Sequence, residues 1–239
     1  MKKVILLFLL GFLLFSCKKE PSQNGKQTDE PIISNKTFFL EGTIVNFNPT
    51  KVYLNKIIEN SLYPIDSSEV VDNTFKLSGI VEKPERFALT FENYAAITIF
   101  IIENKSFTIS INSETINDPF IKGSELNSQL ITYKEKSKEI FKQIDYLFPQ
   151  FQKARLENDA PQLNKIRDEM KKIEMEHLNF SYKYIAQNKE SYVAAMILRD
   201  QLKADTIDTL RIKEAYNTLS MEVKTAPDAE IIASFLNLH

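Results

Sequence analysis

The sequence predicts a segregated α+β fold, an N-terminal antiparallel β-sandwich followed by a C-terminal helical hairpin and bundle. Three observations predict it. Between residues 37 and 122 apolar side chains recur at every second position. From Gly123-Ser124 onward they recur with the 3.6-residue period of a helix. Turn-forming pairs punctuate the first half and helix-cap residues the second. Runs of strands followed by runs of helices place the chain among α+β proteins.

The chain opens on Met1-Lys2-Lys3, an apolar run over residues 4–15, and Ser16-Cys17. A cationic start, a short greasy core and a small residue before a cysteine make a secretory signal of the lipoprotein kind. The core falls short of the roughly 20 apolar residues that a spanning helix needs. Residues 1–16 are therefore expected to be removed, and Cys17 to carry diacylglycerol on its sulfur as the new N-terminus. Leu14-Phe15-Ser16-Cys17 is similar to the bacterial lipobox, although Phe15 is larger than the residue usual there. Lys18 stands in place of the aspartate of an inner-membrane retention signal. The expected address is the cell envelope, lipid-anchored at the outer membrane and facing the periplasm. Residues 17–36 are polar, with Pro21, Gly25 and Pro31, and read as a flexible tether.

The β-sandwich is expected over residues 37–123. Phe38-Leu40-Gly42-Ile44, Val52-Leu54, Phe75-Leu77, Phe87-Leu89-Phe91, Ile97-Ile99-Ile101 and Phe107-Ile109-Ile111 alternate with more polar neighbours. About eight short strands fit this stretch. Asp72-Asn73 and Asn104-Lys105 suit tight hairpins, because Asn and Asp tolerate positive φ. The segment from Thr98 to Ile102 is apolar on both faces, which predicts a central strand. Gly42, Gly79 and Gly123 read as backbone accommodations in strands or turns.

The helical part is expected over residues 124–239. Ser124 is the N-cap of a long first helix striped by Leu126, Leu130, Tyr133, Ile140, Phe141, Ile144, Leu147, Phe148 and Phe151. Pro149 is expected to kink or end it. Asp159-Ala160-Pro161-Gln162 reads as a capping box with proline in the first turn. The second helix carries Leu163, Ile166, Met170, Ile173, His177, Phe180 and Tyr184 inward and ends near Asn188. Ser191 starts a third, with Ala195, Ile197 and Leu198. Asp205 or Asp208 caps a fourth, with Leu210, Tyr216 and Leu219. Pro227 opens a short fifth, with Ile231, Ile232, Phe235 and Leu236. The first two helices form a long antiparallel hairpin.

Hydrophobic residues make up 43% of the chain, with 17 Phe and 9 Tyr, enough for a sizeable core. The 30 basic and 32 acidic residues leave no net field to draw nucleic acid, and no nucleic-acid partner is expected. Cys17 is the one cysteine, so no intrachain disulfide staples the fold.

Catalytic and metal-binding candidates are few. The only histidines are His177 and His239. His177 sits on or beside an apolar helical stripe and reads as a partly buried core residue. Glu174-x-x-His177 is half of a di-iron carboxylate motif whose second half is missing. Asp168-Glu169 and Glu174-Glu176 lie among Lys165, Arg167, Lys171 and Lys172, the pattern of a solvated helix face. Asp66-Ser67-Ser68 reads as a turn bonded to its own backbone, and Tyr94-Ala95-Ala96 as a loop before a strand. With five glycines, no phosphate-cradling loop is present. No catalytic residue, metal site or cofactor is expected, and the chain is read as non-enzymatic. A hydrolase would need His177 in a cleft, within hydrogen-bond reach of a nucleophile.

A set of short motifs carries a resemblance. These are Phe39-Leu40-Glu41-Gly42-Thr43-Ile44, Val52-Tyr53-Leu54, Ile65-Asp66-Ser67-Ser68, Asp72-Asn73-Thr74-Phe75-Lys76-Leu77-Ser78-Gly79, Lys83-Pro84, Phe100-Ile101-Ile102-Glu103 and Ile121-Lys122-Gly123-Ser124. Over roughly residues 38–238 the chain resembles an uncharacterised β-sandwich domain of Gram-negative envelope lipoproteins. That domain usually precedes a thioredoxin-like thiol:disulfide interchange domain. The resemblance implies the fold and the envelope setting. It implies no redox activity here, since no Cys-x-x-Cys follows and the chain ends where that domain would begin. Asn73 also replaces a glycine of the family's hairpin. The expected role is a binding or scaffold module for another envelope protein, such as one of thioredoxin type encoded separately. The alternative is a small-ligand or glycan sensor with its site between sandwich and helices.

Overall fold

The structure is a computed structural model that describes residues 37–238 except 60 and 205. The expected signal segment, Cys17, the tether, Asp205 and His239 lie outside the described residues. The described residues form one compact unit.

Eight strands come first: β1 (Phe38–Val45), β2 (Lys51–Ile58), β3 (Ser61–Glu69), β4 (Thr74–Gly79), β5 (Glu85–Phe91), β6 (Tyr94–Ile102), β7 (Ser106–Asn112) and β8 (Phe120–Lys122). They make two four-stranded sheets, ordered β4-β1-β7-β8 and β3-β2-β5-β6. The alternating positions read from the sequence face inward. Leu40, Phe75, Phe107 and Ile109 of one sheet and Val52, Leu54, Leu89 and Phe100 of the other belong to one buried apolar cluster. Gly42 makes room for it: a Cβ there would overlap the Phe75 ring.

Three expectations about pairing are corrected. β1 pairs with β7 in parallel, so the sheets are antiparallel-rich, not wholly antiparallel. The Asp72-Asn73 turn forms, with both residues at positive φ and Val71 bridged to Thr74, but the strands on either side of it, β3 and β4, belong to different sheets and make no hairpin ladder. Asn104-Lys105 makes no hairpin, because β6 and β7 belong to different sheets and the chain crosses between them there. The third correction concerns β6, which is an edge strand, not a central one. Its two apolar faces have another cause. Phe100 and Ile102 enter the core between the sheets, whereas Ile101 points the other way into a core made with the helices.

Among the described residues six α-helices follow: α1 (Glu125–Leu156), α2 (Ala160–Gln187), α3 (Tyr192–Asp200), α4 (Thr209–Thr218), α5 (Met221–Lys224) and α6 (Pro227–Phe235). The caps sit where the sequence places them. Ser124, Asp159, Ser191 and Asp208 each accept a backbone N–H of the first turn, satisfying donors that have no partner within the helix. Pro149 does not end α1, which runs on to Leu156. The one-turn α5 was not foreseen. α3 buries the expected Ala195, Ile197 and Leu198, whereas on α4 and α6 the buried faces differ in part from the expected ones. Ile212, not Leu210, is buried on α4, and Ala229, Ile232 and Ala233 are buried on α6, where Ile231 and Phe235 stay largely exposed.

α1 and α2 pack antiparallel through Ile140, Leu147 and Ala154 against Ile166 and Ile173. α3 is apolar all round, with six consecutive buried residues from Val193 to Leu198, and forms the centre of the helical core.

Candidate functional site

The start of α1 is locked onto the end of β6 by buried polar groups. Ser124 Oγ donates to Glu103 Oε1 at 2.8 Å and accepts the Asn127 backbone N–H at 3.2 Å. Asn127, itself buried, accepts the Ile101 N–H at 2.8 Å and donates to the Ile101 carbonyl at 2.7 Å. These contacts make α1 run beside the edge of the sheet and out over the loop before β8.

A cavity of about 250 Å³ lies along that line. Its walls include Ile99 of β6, Phe120 and Ile121 of β8, and Leu130 and Ile131 of α1; Asn117, Asp118, Pro119, Asn127, Lys134, Glu135 and Lys138 complete it. At and beside it the edge strands of the two sheets leave an apolar strip, with Ile97 43% and Ile99 41% exposed on β6 and Phe120 62% exposed on β8. Lys138 pairs with Asp118. Lys134 forms no ion pair with a carboxylate of the described residues. Burial pushes its ammonium below the ordinary lysine value, with Asp118 opposing that shift.

A second, more open hollow of about 740 Å³ shares Asn117, Asp118, Lys134 and Lys138 with the first and extends over Tyr133, Ser137, Phe141, His177 and Asp200. His177 is thus half-buried against a groove and not enclosed in the core. Its Nε2 lies 3.1 Å from Ser137 Oγ. A hydroxyl has one proton, and Ser137 donates its own to the Tyr133 carbonyl at 3.0 Å. With the serine proton on that carbonyl, the imidazole donates to the serine from Nε2. Ser181 likewise donates to the His177 carbonyl, so the Tyr133 hydroxyl donates to Ser181 at 2.7 Å. The arrangement ties α1 to α2. Burial alone lowers the His177 pKa.

The remaining sequence candidates are scattered. Asp168, Glu174 and Glu176 are exposed on α2, and Glu176 accepts a bond from Gln143 at 3.3 Å. Asp66-Ser67-Ser68 is part of β3, not a turn, although Asp66 Oδ1 does accept its neighbour's N–H at 2.8 Å. Ser68 Oγ accepts the Lys76 N–H at 3.2 Å and so links β3 to β4. Tyr94-Ala95-Ala96 opens β6 and is not a loop. Among the described residues no group of three or more His, Cys, Asp or Glu is placed to hold a metal ion, and no helix is long and apolar enough to cross a membrane.

Sequence reasoning missed a buried charge network. Arg86 of β5 pairs with Asp200 at 2.8 Å and with Asp228 at 3.0 Å, and Arg199 also reaches Asp228 at 2.8 Å. Burial alone would depress the Arg86 guanidinium, but the two carboxylates outweigh it and hold it above its usual value. It missed Asn127 too. The available signal was an amide in the capped first turn, next to Leu126 and three residues before Leu130 of the apolar stripe.

Residues 19–130 match the family model of a domain of unknown function (DUF4369). The match spans all eight strands and the first turns of α1, just under half of the chain. No curated protein and no solved structure matches the chain.

Proposed function

We propose that the chain is a lipid-anchored envelope lipoprotein, held by Cys17 at the outer membrane and facing the periplasm. Its β-sandwich and helices then serve as a non-enzymatic binding module for another envelope protein, a separately encoded thioredoxin-like protein being the leading candidate. The lipobox-like Leu14-Phe15-Ser16-Cys17 supports the anchor. The observation that carries the binding role is the apolar strip of Ile97, Ile99 and Phe120, at least two-fifths exposed at each position beside the α1 cavity. Contiguous exposed apolar surface of this kind marks interaction sites on soluble domains.

Affinity capture from envelope extracts tests this reading. The unchanged chain should recover a partner that an Ile99→Glu/Phe120→Ser variant loses. Recovery of nothing above an unrelated lipoprotein would remove the reading.

A second reading is favoured by the cavity itself. A pocket that combines apolar walls with a few polar groups, the half-buried Lys134 among them, suits a small ligand, which would make the chain a sensor.

A further inference from the structure

We propose that the cavity between β6, β8 and α1 takes a small amphiphilic monoanion, a medium-chain carboxylate, with its head on Lys134 and its body against Ile99, Phe120, Leu130 and Ile131. The inference rests on the small-ligand reading and names the ligand class.

Charge accounting identifies the head group. Of the charged groups lining the two adjoining hollows, Lys138 is taken by Asp118, and Asp200 is taken by Arg86 from outside them, with Lys203 3.8 Å from the same carboxylate. Glu135 is exposed at the cavity lip. Among the described residues Lys134 is the one cation of this group without a carboxylate at ion-pair distance. A partly desolvated ammonium without a counter-charge is unfavourable, and a bound anion relieves it. One ammonium with Asp118 nearby suits a single negative charge and opposes two, which selects a carboxylate over a phosphate dianion.

The walls identify the rest. Ile99, Phe120, Ile121, Leu130 and Ile131 present apolar side chains that suit an apolar body, while the polar part of the lining, which includes Asp118, Lys134 and Lys138, suits the head. At about 250 Å³ the space lies just below the roughly 300–1,000 Å³ of drug-sized sites, and the occupant is correspondingly short.

The test titrates octanoate, octan-1-ol and octylamine into the full chain in lipid nanodiscs. The readout is the isoleucine methyl NMR signals of Ile99, Ile121 and Ile131, which report the cavity and not the bilayer. Octanoate should shift them saturably, at least about tenfold more tightly than octanol, with octylamine weakest. Lys134→Met should abolish the preference for octanoate over octanol, and Ile131→Trp should remove binding of all three. Equal binding of octanoate and octanol would overturn the carboxylate assignment while leaving the small-ligand reading standing. The same holds for an undiminished preference in Lys134→Met. No shift with any probe would overturn both.

Discussion

The side-chain amide of Asn127 pairs with both the N–H and the carbonyl of Ile101, so one residue of α1 occupies the open hydrogen-bonding edge of β6. An edge strand otherwise presents unpaired backbone groups that recruit other chains. Here the amide mimics a neighbouring strand at the residue whose side chain enters the helical core. Sheet and helices are thereby held in one register, and the cavity beside Lys134 follows from it.

Asn127→Leu should lower stability by about 3 kcal/mol, because two buried backbone groups lose their partners at about 1–3 kcal/mol each. Denaturant unfolding measures this, and hydrogen exchange at the Ile101 amide should accelerate in parallel. Gln143→Leu, at an exposed contact with Glu176, serves as the control and should change stability by less than about 0.5 kcal/mol. Equal effects of the two substitutions would mean that the amide is incidental.

Tyr184 offers the opposite case. Its hydroxyl is buried and finds no hydrogen-bond partner among the described residues. Burial pushes its pKa up, as expected for a phenol that water does not reach. Tyr184→Phe should be neutral or stabilising by up to about 1 kcal/mol, since it deletes a desolvated polar atom and keeps the ring packed edge-on to Tyr133. A loss of more than about 1 kcal/mol would reveal a partner for that hydroxyl.

His177 gives a pH signature. Burial lowers its pKa from the ordinary 6.5, so between its folded value and 6.5 the unfolded chain binds more protons than the folded one. Stability therefore rises with pH across that window and falls away as pH drops through the folded value. NMR titration of the imidazole should place its midpoint below 6.5. His177→Asn should flatten the acid slope of the unfolding midpoint over that window. A midpoint at or above 6.5 would contradict the burial that the groove geometry gives it.

The charge network should be sharply asymmetric. Arg86→Met leaves Asp228 buried with only Arg199 to balance it, and should cost about 3 kcal/mol or more. Lys76→Met breaks an exposed pair with Glu41 and should cost under about 0.5 kcal/mol. Thermal or denaturant unfolding of both variants distinguishes a stitch between β5, α3 and α6 from surface decoration; similar losses in the two would refute the stitch.

Local periodicity made the elements legible. Phe38-Leu40, Phe87-Leu89-Phe91 and Phe107-Ile109-Ile111 face the core as their alternation predicts, and four of the six helices begin at caps visible in the sequence. What stayed hidden was long-range. Nothing local to Leu40 or Phe107 says that their strands run parallel, because that pairing is decided by the path between them. Ile101 sits in a strand that looks central, since an edge strand covered by helices carries the same two apolar faces. Ser137 and His177 stand 40 residues apart and meet only through the register of two packed helices. Arg86 and Asp228 are separated by 142 residues, and each alone resembles an ordinary surface charge.

Intact-mass spectrometry of the chain purified from native envelopes tests the anchor most directly. The account predicts a mature form that begins at Cys17 and carries added diacylglycerol and acyl mass, and a Cys17→Ser variant that remains at precursor mass. A native chain retaining Met1, or one beginning at Cys17 with an unmodified thiol, would contradict it.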